Sequence, residues 1–230
     1  MEQHHHQHQH TDAHLHHSNA VDGYVEVSAT FQNGVLNLHV LDDEGLAPKL
    51  EFTHEKLMHL IVVSNDLNEF YHLHPKQVSE HEYRVDVPLS NSSYTAFVDI
   101  LPVGKNYHIK PIRINNLGEP NTFANLIKDN SLKKEVNGKM VELKMSPLKV
   151  HDEITMSFHI KNAIPETYLG ALGHVVIIDQ KVEQFLHVHP ESENDTVFKT
   201  QFDQPGRYKL WAEFKFKGKV LVFPYVIEVE

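Results

Sequence analysis

Cysteine is absent from the 230 residues of this sequence, and so are a basic excess and a long apolar run. Without cysteine, the chain has no disulfides, no thiolate zinc site, no blue-copper cysteine ligand and no cysteine nucleophile. The formal net charge of -10 argues against nucleic-acid binding, because phosphate contacts need clustered lysine and arginine. No apolar run approaches the roughly 18 residues of a membrane-spanning helix, so no membrane span is predicted.

The first residues also lack the features of a signal peptide. Residues 1–8 contain neither a basic region nor an apolar core. On the sequence as given, we expect a cytoplasmic protein. If Met1 replaces a removed leader, we expect a protein of the cell envelope or a secreted one. The length and the 40% hydrophobic content permit one large domain or two ordinary ones.

Histidine, in contrast, is abundant, with 20 residues in the chain. The segment 1–19 interleaves histidines with polar residues and lacks the apolar side chains needed to fold, so we predict a disordered tail. The tail is either a purification tag or a flexible metal collector, because a dense imidazole array binds Zn, Cu or Ni without a preformed pocket. The accessory ligands predicted in this tail are His4, His5, His6, His8, His10, His14, His16 and His17.

From residue 20 onwards, short alternating segments separated by turn residues predict an all-β domain. Leu36, Leu38 and Val40 alternate with polar residues, which is typical of a sheet with one buried face. Several such strands in about 95 residues predict an immunoglobulin-like or cupredoxin-like antiparallel sandwich. The predicted strands are 24–31, 35–41, 57–64, 69–74, 81–89, 92–100 and 106–114.

The second half of the sequence repeats the first. Residues 21–27 resemble 136–143 with one insertion, and residues 94–100 resemble 208–214, at an offset near 115 to 120. A repeated offset of this kind indicates a domain duplication. The predicted organisation is a tail over 1–19, sandwiches over 20–115 and 135–230, and a linker over 116–134 in which Thr122 to Lys134 is a candidate short helix.

One histidine pattern occurs in both halves. In the first half, His59 precedes an apolar run, and His72 and His74 follow it, with Pro75 next. A hairpin with the four-residue loop 65–68 places His59 opposite His74, and His72 projects from the same face. Three imidazoles then lie within about 5 to 8 Å of one another.

The second copy of the pattern consists of His174, His187 and His189, with the hairpin loop at 180–183. Three neutral imidazoles on neighbouring strands suit Zn²⁺ or Cu²⁺, whereas the lack of thiolates disfavours tight Cu(I) selection. The same three histidines recur although most aligned residues around them differ. We therefore predict a copper or zinc site in each domain.

Two acidic residues align with each other in the repeat. Asp99 and Glu213 each lie in a largely apolar strand, so each is a candidate fourth metal ligand or an acceptor that orients an imidazole. The alternative is a solvated outward position. The remaining histidines are predicted to lie on the surface or to point outwards: His39, His54, His81, His108, His151 and His159.

Three motifs in the second half resemble a known family. They are Gly173-His174 before an apolar strand, Phe-Leu-His-Val-His-Pro at 185–190 and a Pro-Gly-Arg-Tyr stretch that leads to Glu213. Together they resemble small bacterial β-sandwich domains of the YtkA-like and related cupredoxin-like kind, which occur with copper and heavy-metal handling proteins of cell envelopes. The resemblance covers residues 150–230 well and 50–110 more loosely. It implies a binding role without catalysis.

The leading hypothesis is a non-enzymatic binder of Cu²⁺ or Zn²⁺ that acts in metal buffering, delivery or resistance. Its partners would be metal ions and a metal transporter or metal-receiving protein. A structural, surface or coat protein with incidental histidines is the alternative. A superoxide dismutase-like enzyme is disfavoured, because the further ligand segments and the cysteine pair of that enzyme are missing.

Overall fold

The described part of the chain is built from β-strands that pair antiparallel. The computed structural model describes residues 23–90, 92–114 and 124–230, and these residues form no helix. The first half contains β1 (Val25–Gln32), β2 (Val35–Asp42), β3 (Leu50–Glu51), β4 (His59–Ser64), β5 (Phe70–Leu73), β6 (Lys76–Gln77), β7 (Glu82–Asp86), β8 (Tyr94–Asp99), β9 (Leu101–Pro102) and β10 (Ile112–Ile114). The second half contains β11 (Lys133–Val136), β12 (Lys139–Met145), β13 (Ile154–Ile160), β14 (His174–Asp179), β15 (Phe185–Val188), β16 (Val197–Thr200), β17 (Gly206–Phe216) and β18 (Lys219–Val229).

The first ten strands form a two-layer sandwich, which we call domain 1. One sheet has the order β1-β2-β7-β6 and the other β10-β8-β4-β5, while β3 pairs with β9. The two four-stranded sheets contain all strands except β3 and β9. If these eight strands are lettered A, B, C, C′, D, E, F and G in chain order, the sheets read A-B-E-D and G-F-C-C′. This is the strand order of an immunoglobulin-like sandwich.

The last eight strands repeat this arrangement, and we call them domain 2. Their sheets have the orders β11-β12-β13-β16 and β15-β14-β17-β18. Strand β11 is an added edge strand, and the other strands occupy the positions of their domain 1 counterparts. The prediction of two tandem all-β sandwiches is confirmed.

The outer sheet of domain 1, β1-β2-β7-β6, shows the predicted alternation of buried and partly exposed residues. In β2, Leu36, Leu38 and Val40 are buried in the core of domain 1, and the residues between them are partly exposed. One face of this sheet therefore packs on the core and the other faces water.

The inner strands β4 and β14 are buried on both faces. Every residue of the two strands is buried. Leu60 and Val62 belong to the core of domain 1, whereas Ile61 and Val63 point the other way into a separate apolar cluster. Since successive strand residues face opposite sides, something must cover the second face of each strand.

The two domains cover each other, and the residues between them form what we call the interdomain cluster. Two ring stacks mark it: Phe70 lies on Trp211 with centroids 4.8 Å apart, and Phe97 lies on Phe185 at 5.0 Å. In the repeat, Phe70 corresponds to Phe185 and Trp211 corresponds to Phe97, so each stack is the counterpart of the other. The interface is therefore close to twofold symmetric, like that of an isologous dimer. The buried members of the cluster are Ile61, Val63, Leu67, Phe97, Ala124, Leu126, Val176, Ile178, Val182 and Trp211.

The connector between the domains differs from the prediction. Over its described part no helix forms: residues 124–132 are irregular, and Lys133 and Lys134 already belong to β11. Ala124 and Leu126 are buried in the interdomain cluster, with an exposed residue between them. Arg207 donates a hydrogen bond of 2.8 Å to the carbonyl of Leu126. Burial of two residues with an exposed one between them fits an extended chain, in which successive side chains point to opposite sides.

Candidate metal centre

The three histidines of domain 1 converge as the hairpin register requires. In the β4–β5 pair, Leu60 lies opposite Leu73 and Ile61 opposite His72. One step further along this register, His59 lies opposite His74, as predicted. The candidate ligand nitrogens of His59, His72 and His74 all lie within 4.8 Å of one another.

Domain 2 repeats the arrangement. Val175 lies opposite Val188 in the β14–β15 pair, which places His174 opposite His189. The candidate ligand nitrogens of His174, His187 and His189 also lie within 4.8 Å of one another. The predicted geometry of both hairpins is confirmed, while their role as metal sites stays a prediction.

The two triads lie against each other across the domain interface. The ring centroids of His59 and His187 are 5.1 Å apart, and those of His72 and His187 are 5.4 Å apart. Separate sites were expected, one in each sandwich. The apolar second faces of β4 and β14 were a sequence signal for this contact, because Ile61 and Val176 need a cover that their own domains do not supply.

The first histidine of each triad is held by a carbonyl oxygen. Nε2 of His59 lies 2.9 Å from the carbonyl oxygen of Thr53, and Nε2 of His174 lies 2.8 Å from that of Tyr168. A carbonyl only accepts hydrogen bonds, so the proton is on Nε2 in each ring. The Nδ1 atom is left with a lone pair, which is the form that binds a metal.

The second histidine of each triad is held by a carboxylate of the other domain. Nδ1 of His72 lies 2.5 Å from Oε2 of Glu213, and Nδ1 of His187 lies 2.8 Å from Oδ2 of Asp99. The Nδ1–H group donates to the carboxylate and leaves Nε2 as the ligand atom, an arrangement common around metal-binding histidines. Glu213 has a side chain only 5% exposed, so it does not occupy a solvated position.

These bonds leave several buried lone pairs facing one another. Nδ1 of His59 and Nε2 of His72 are 3.1 Å apart, which is a hydrogen-bond distance when His72 carries a second proton. When each ring carries only the proton assigned above, two lone pairs face each other and repel unless a cation lies between them. The separation fits a tetrahedral metal site, where bonds of about 2.0–2.1 Å place ligand nitrogens about 3.3 Å apart.

Four further ring nitrogens support the same conclusion. Each is buried and has no hydrogen-bond partner among the residues that the structure describes. Buried polar atoms are rarely left in this state, so they need an explanation such as an ion. These atoms are Nε2 of His74, Nδ1 of His174, Nε2 of His187 and Nε2 of His189.

Burial favours the neutral form of five of the triad imidazoles. Loss of solvation, reinforced by the neighbouring imidazoles, lowers the pKa of His59 to about 4 and the pKa of His74 and of His174 to about 3. The same causes lower the pKa of His187 and of His189 well below the ordinary value. Metal ions therefore need not displace protons from these rings at neutral pH.

His54 is a centre residue that sequence reasoning missed. It was predicted to lie on the surface, but its ring is stacked on His189 with centroids 3.5 Å apart. It lies in a turn of domain 1 with φ 46°, and Leu169, with φ 52°, has the matching position in domain 2. Without a histidine at that matching position, the repeat gave no signal for His54.

A third histidine group lies on the outer sheet of domain 1. His39, His81 and Glu82 also bring their ligand atoms within 4.8 Å of one another. The side chains of His39 and Glu82 are 38% and 37% exposed. This group agrees with the outward position predicted for His39 and shares nothing with the buried centre. The eight tail histidines lie outside the described residues.

Comparison with known families identifies the family of this chain. A family model described as "Domain of unknown function (DUF8832)" matches it twice, over residues 19–116 and 134–230. The chain therefore belongs to this family. Its unit occurs here twice in tandem, in agreement with the duplication found in the sequence. No curated protein matches the chain.

Two solved structures show distant similarity to this chain. A segment of two fibronectin type-III domains from chicken tenascin is 10% identical, covers 90% of this chain and 100% of the segment, and has a TM-score of 0.29. The FN1–FN3 domains of chicken CNTN1 are 12% identical, with coverage of 89% and 63% and a TM-score of 0.27. Similarity at this level carries no argument, so the fold assignment depends on the strand order above. Among the described residues, no helix is long and apolar enough to cross a membrane.

Proposed function

We propose that this protein is a non-enzymatic binder of Cu²⁺ or Zn²⁺ that acts in metal buffering, delivery or resistance. The observation that carries the proposal is the convergence of buried imidazole nitrogens in two triads, four of which have no hydrogen-bond partner among the described residues. A purely structural role would leave these polar atoms buried at a cost of about 1–3 kcal/mol each.

The ligand chemistry supports Cu²⁺ or Zn²⁺ in particular. Imidazole suits both ions, and the sequence contains no thiolate that would select Cu(I). The methionine next to the first triad, Met58, is 1% exposed and packs in the core of domain 1. Its side chain packs with Leu60 and Val62, so it faces away from His59 and is not available as a thioether ligand.

The burial of the centre favours binding over catalysis. His59 and His174 are 0% exposed, and the interdomain cluster covers this side of both sheets. A catalytic metal needs an open coordination position for water or substrate. A superoxide dismutase-like activity is for this reason not part of the proposal. The resemblance to YtkA-like domains supports a binding role in the same way.

In this proposal, the histidine-rich tail raises the local metal concentration, and the net charge of -10 attracts cations to the protein. A metal transporter or a metal-receiving protein then takes over the ion.

Calorimetric titration of the full chain with Cu²⁺ and with Zn²⁺ tests the proposal. To separate the centre from the tail, the eight tail histidines are replaced by glutamine in every variant. We expect about two equivalents of metal to bind, and about one in a His187→Ala/His189→Ala variant. Loss of all binding once the tail is changed would instead favour the alternative, a structural tandem sandwich with incidental histidines.

A further inference from the structure

The carboxylates of Asp99 and Glu213 each bond to a histidine of the other domain and not to the triad of their own domain. Asp99 in β8 lies directly opposite His59 in β4, so its nearest triad histidine along the sheet belongs to its own domain. Its carboxylate nevertheless bonds to His187 of domain 2.

Glu213 shows the reciprocal arrangement. It lies opposite His174 in the β14–β17 pair, yet its carboxylate bonds to His72 of domain 1. Both acids project from the face that packs on the other domain, because residues directly opposite each other in an antiparallel pair share a face. The interface therefore exchanges the two carboxylates between the triads.

From this exchange we infer that the triads form one two-ion centre in which each domain supplies the carboxylate that orients a metal ligand of the other domain. The inference depends on the proposed metal binding. Asp99 is a positioning residue for the triad of domain 2, and Glu213 is a positioning residue for the triad of domain 1.

Direct ligation by the carboxylates fits the geometry less well. Each of the two buried groups whose ligand atoms converge within 4.8 Å consists of the three histidines of one domain. The carboxylate oxygens accept hydrogen bonds from Nδ1–H of His72 and of His187. Each bond leaves Nε2 of that histidine as the atom that can bind a metal with the other histidines of the same domain. Losing a partner of this kind typically costs a metal site about 10- to 100-fold in affinity.

The exchange makes the two domains dependent on each other. Neither domain contains a complete site with its orienting carboxylate, so separated sandwiches would each bind metal weakly. Metal at one triad holds the interface that positions the carboxylate for the other. Binding of the two ions is for this reason linked, as coupled sites are.

The test measures each triad alone in the full chain with the glutamine-substituted tail. His74→Ala leaves only the domain 2 triad complete, and His189→Ala leaves only the domain 1 triad complete. The exchanged bonds join His72 to Glu213 and His187 to Asp99, so both substitutions leave the residues of these bonds in place. Asp99→Asn and Glu213→Gln are then added to each background and titrated with Zn²⁺.

We expect a crossed result. Asp99→Asn should weaken Zn²⁺ binding about 10- to 100-fold in the His74→Ala background and change it less than about threefold in the His189→Ala background. Glu213→Gln should do the reverse, so each variant is the matched control of the other. Effects on the triad of the same domain, equal effects on both triads, or no effect would overturn the inference.

Failure of the proposed function would be visible earlier, as absence of Zn²⁺ binding in both backgrounds before any carboxylate is changed. A second readout needs no metal. In the metal-free protein, ¹⁵N NMR of the imidazole rings should show that Asp99→Asn alters the tautomer of His187 and leaves that of His59 unchanged. A change at His59 alone would contradict the exchange even if a variant were too unstable to titrate.

Discussion

The two triads contain the same residues on matching strands, yet they differ in what covers them. His54 of domain 1 is stacked on His189 of the domain 2 triad, whereas Leu169 has the matching turn position in domain 2. The carboxylates differ too, since the side chain of Glu213 is 5% exposed and that of Asp99 is 25% exposed. Duplication thus preserved the six histidines while their surroundings diverged. Differences in affinity between the sites should arise from these surroundings.

Acid should destabilise the folded protein, because both triads contain buried neutral imidazoles. We expect this loss of stability to be the largest effect. The pKa of His59 is lowered by burial from 6.5 to about 4, and the pKa of His74 and of His174 from 6.5 to about 3. Below pH 6.5 the unfolded chain therefore binds more protons than the folded protein, and stability falls as the pH falls towards 4.

Guanidinium unfolding of the chelator-treated protein at pH 8, 6.5 and 5 measures this loss. The unfolding midpoint should be highest at pH 8 and fall steeply between pH 6.5 and 5. A midpoint that stays constant over this range would mean that the triads are not buried as neutral imidazoles.

Removing one ring stack should break the symmetry of the interface. Trp211→Ala deletes the ring on which Phe70 lies and leaves a cavity in the interdomain cluster. We expect a loss of about 3–5 kcal/mol in the free energy of unfolding, as for other buried aromatic residues. Phe52→Ala is the control, since Phe52 is 71% exposed and should change stability by less than about 0.5 kcal/mol.

Because Trp211 packs between the domains, this variant should also uncouple them. We expect thermal unfolding followed by calorimetry to show one transition for the unchanged protein and two for the variant. A single transition with unchanged stability would contradict a tightly packed interface between the domains.

The cover of the domain 2 triad allows a finer comparison. His54→Ala removes the ring stacked on His189, and a stacked pair is worth about 0.5–1.5 kcal/mol. We expect Zn²⁺ affinity to fall about 2- to 12-fold in the His74→Ala background and to stay unchanged in the His189→Ala background.

His151→Ala is the matched control for this substitution. His151 also lies in a left-handed turn, with φ 66°, but it is exposed. Its removal should leave both affinities unchanged. If His54→Ala and His151→Ala behave alike, the stacked ring contributes nothing to the centre.

Local patterns in the sequence were sufficient to predict the sandwiches and both triads. The alternation at Leu36, Leu38 and Val40 predicted a half-buried strand, and the observed burial agrees. The fifteen-residue spacing from His59 to His74 predicted the hairpin register, because a four-residue loop leaves one pairing. Both inferences need only contacts between strands that are close in the chain.

The contacts between the domains could not be predicted in this way. Strand alternation and hairpin spacing do not show that Asp99 bonds to His187 or that His54 stacks on His189, since the residues of each pair are far apart in the chain. The candidate helix in the connector was wrong over its described residues for a related reason. The burial of Ala124 and Leu126 between the domains imposed an extended conformation that sequence propensity did not indicate.

The most direct measurement of the central claim is anomalous X-ray scattering from crystals of the full chain grown with Zn²⁺. We predict two zinc peaks at the domain interface, one beside Nδ1 of His59 and one beside Nδ1 of His174, each also bonded to Nε2 of two further histidines. Peaks confined to the tail or to the outer group of His39 and His81 would contradict the claim, as would an interface without zinc.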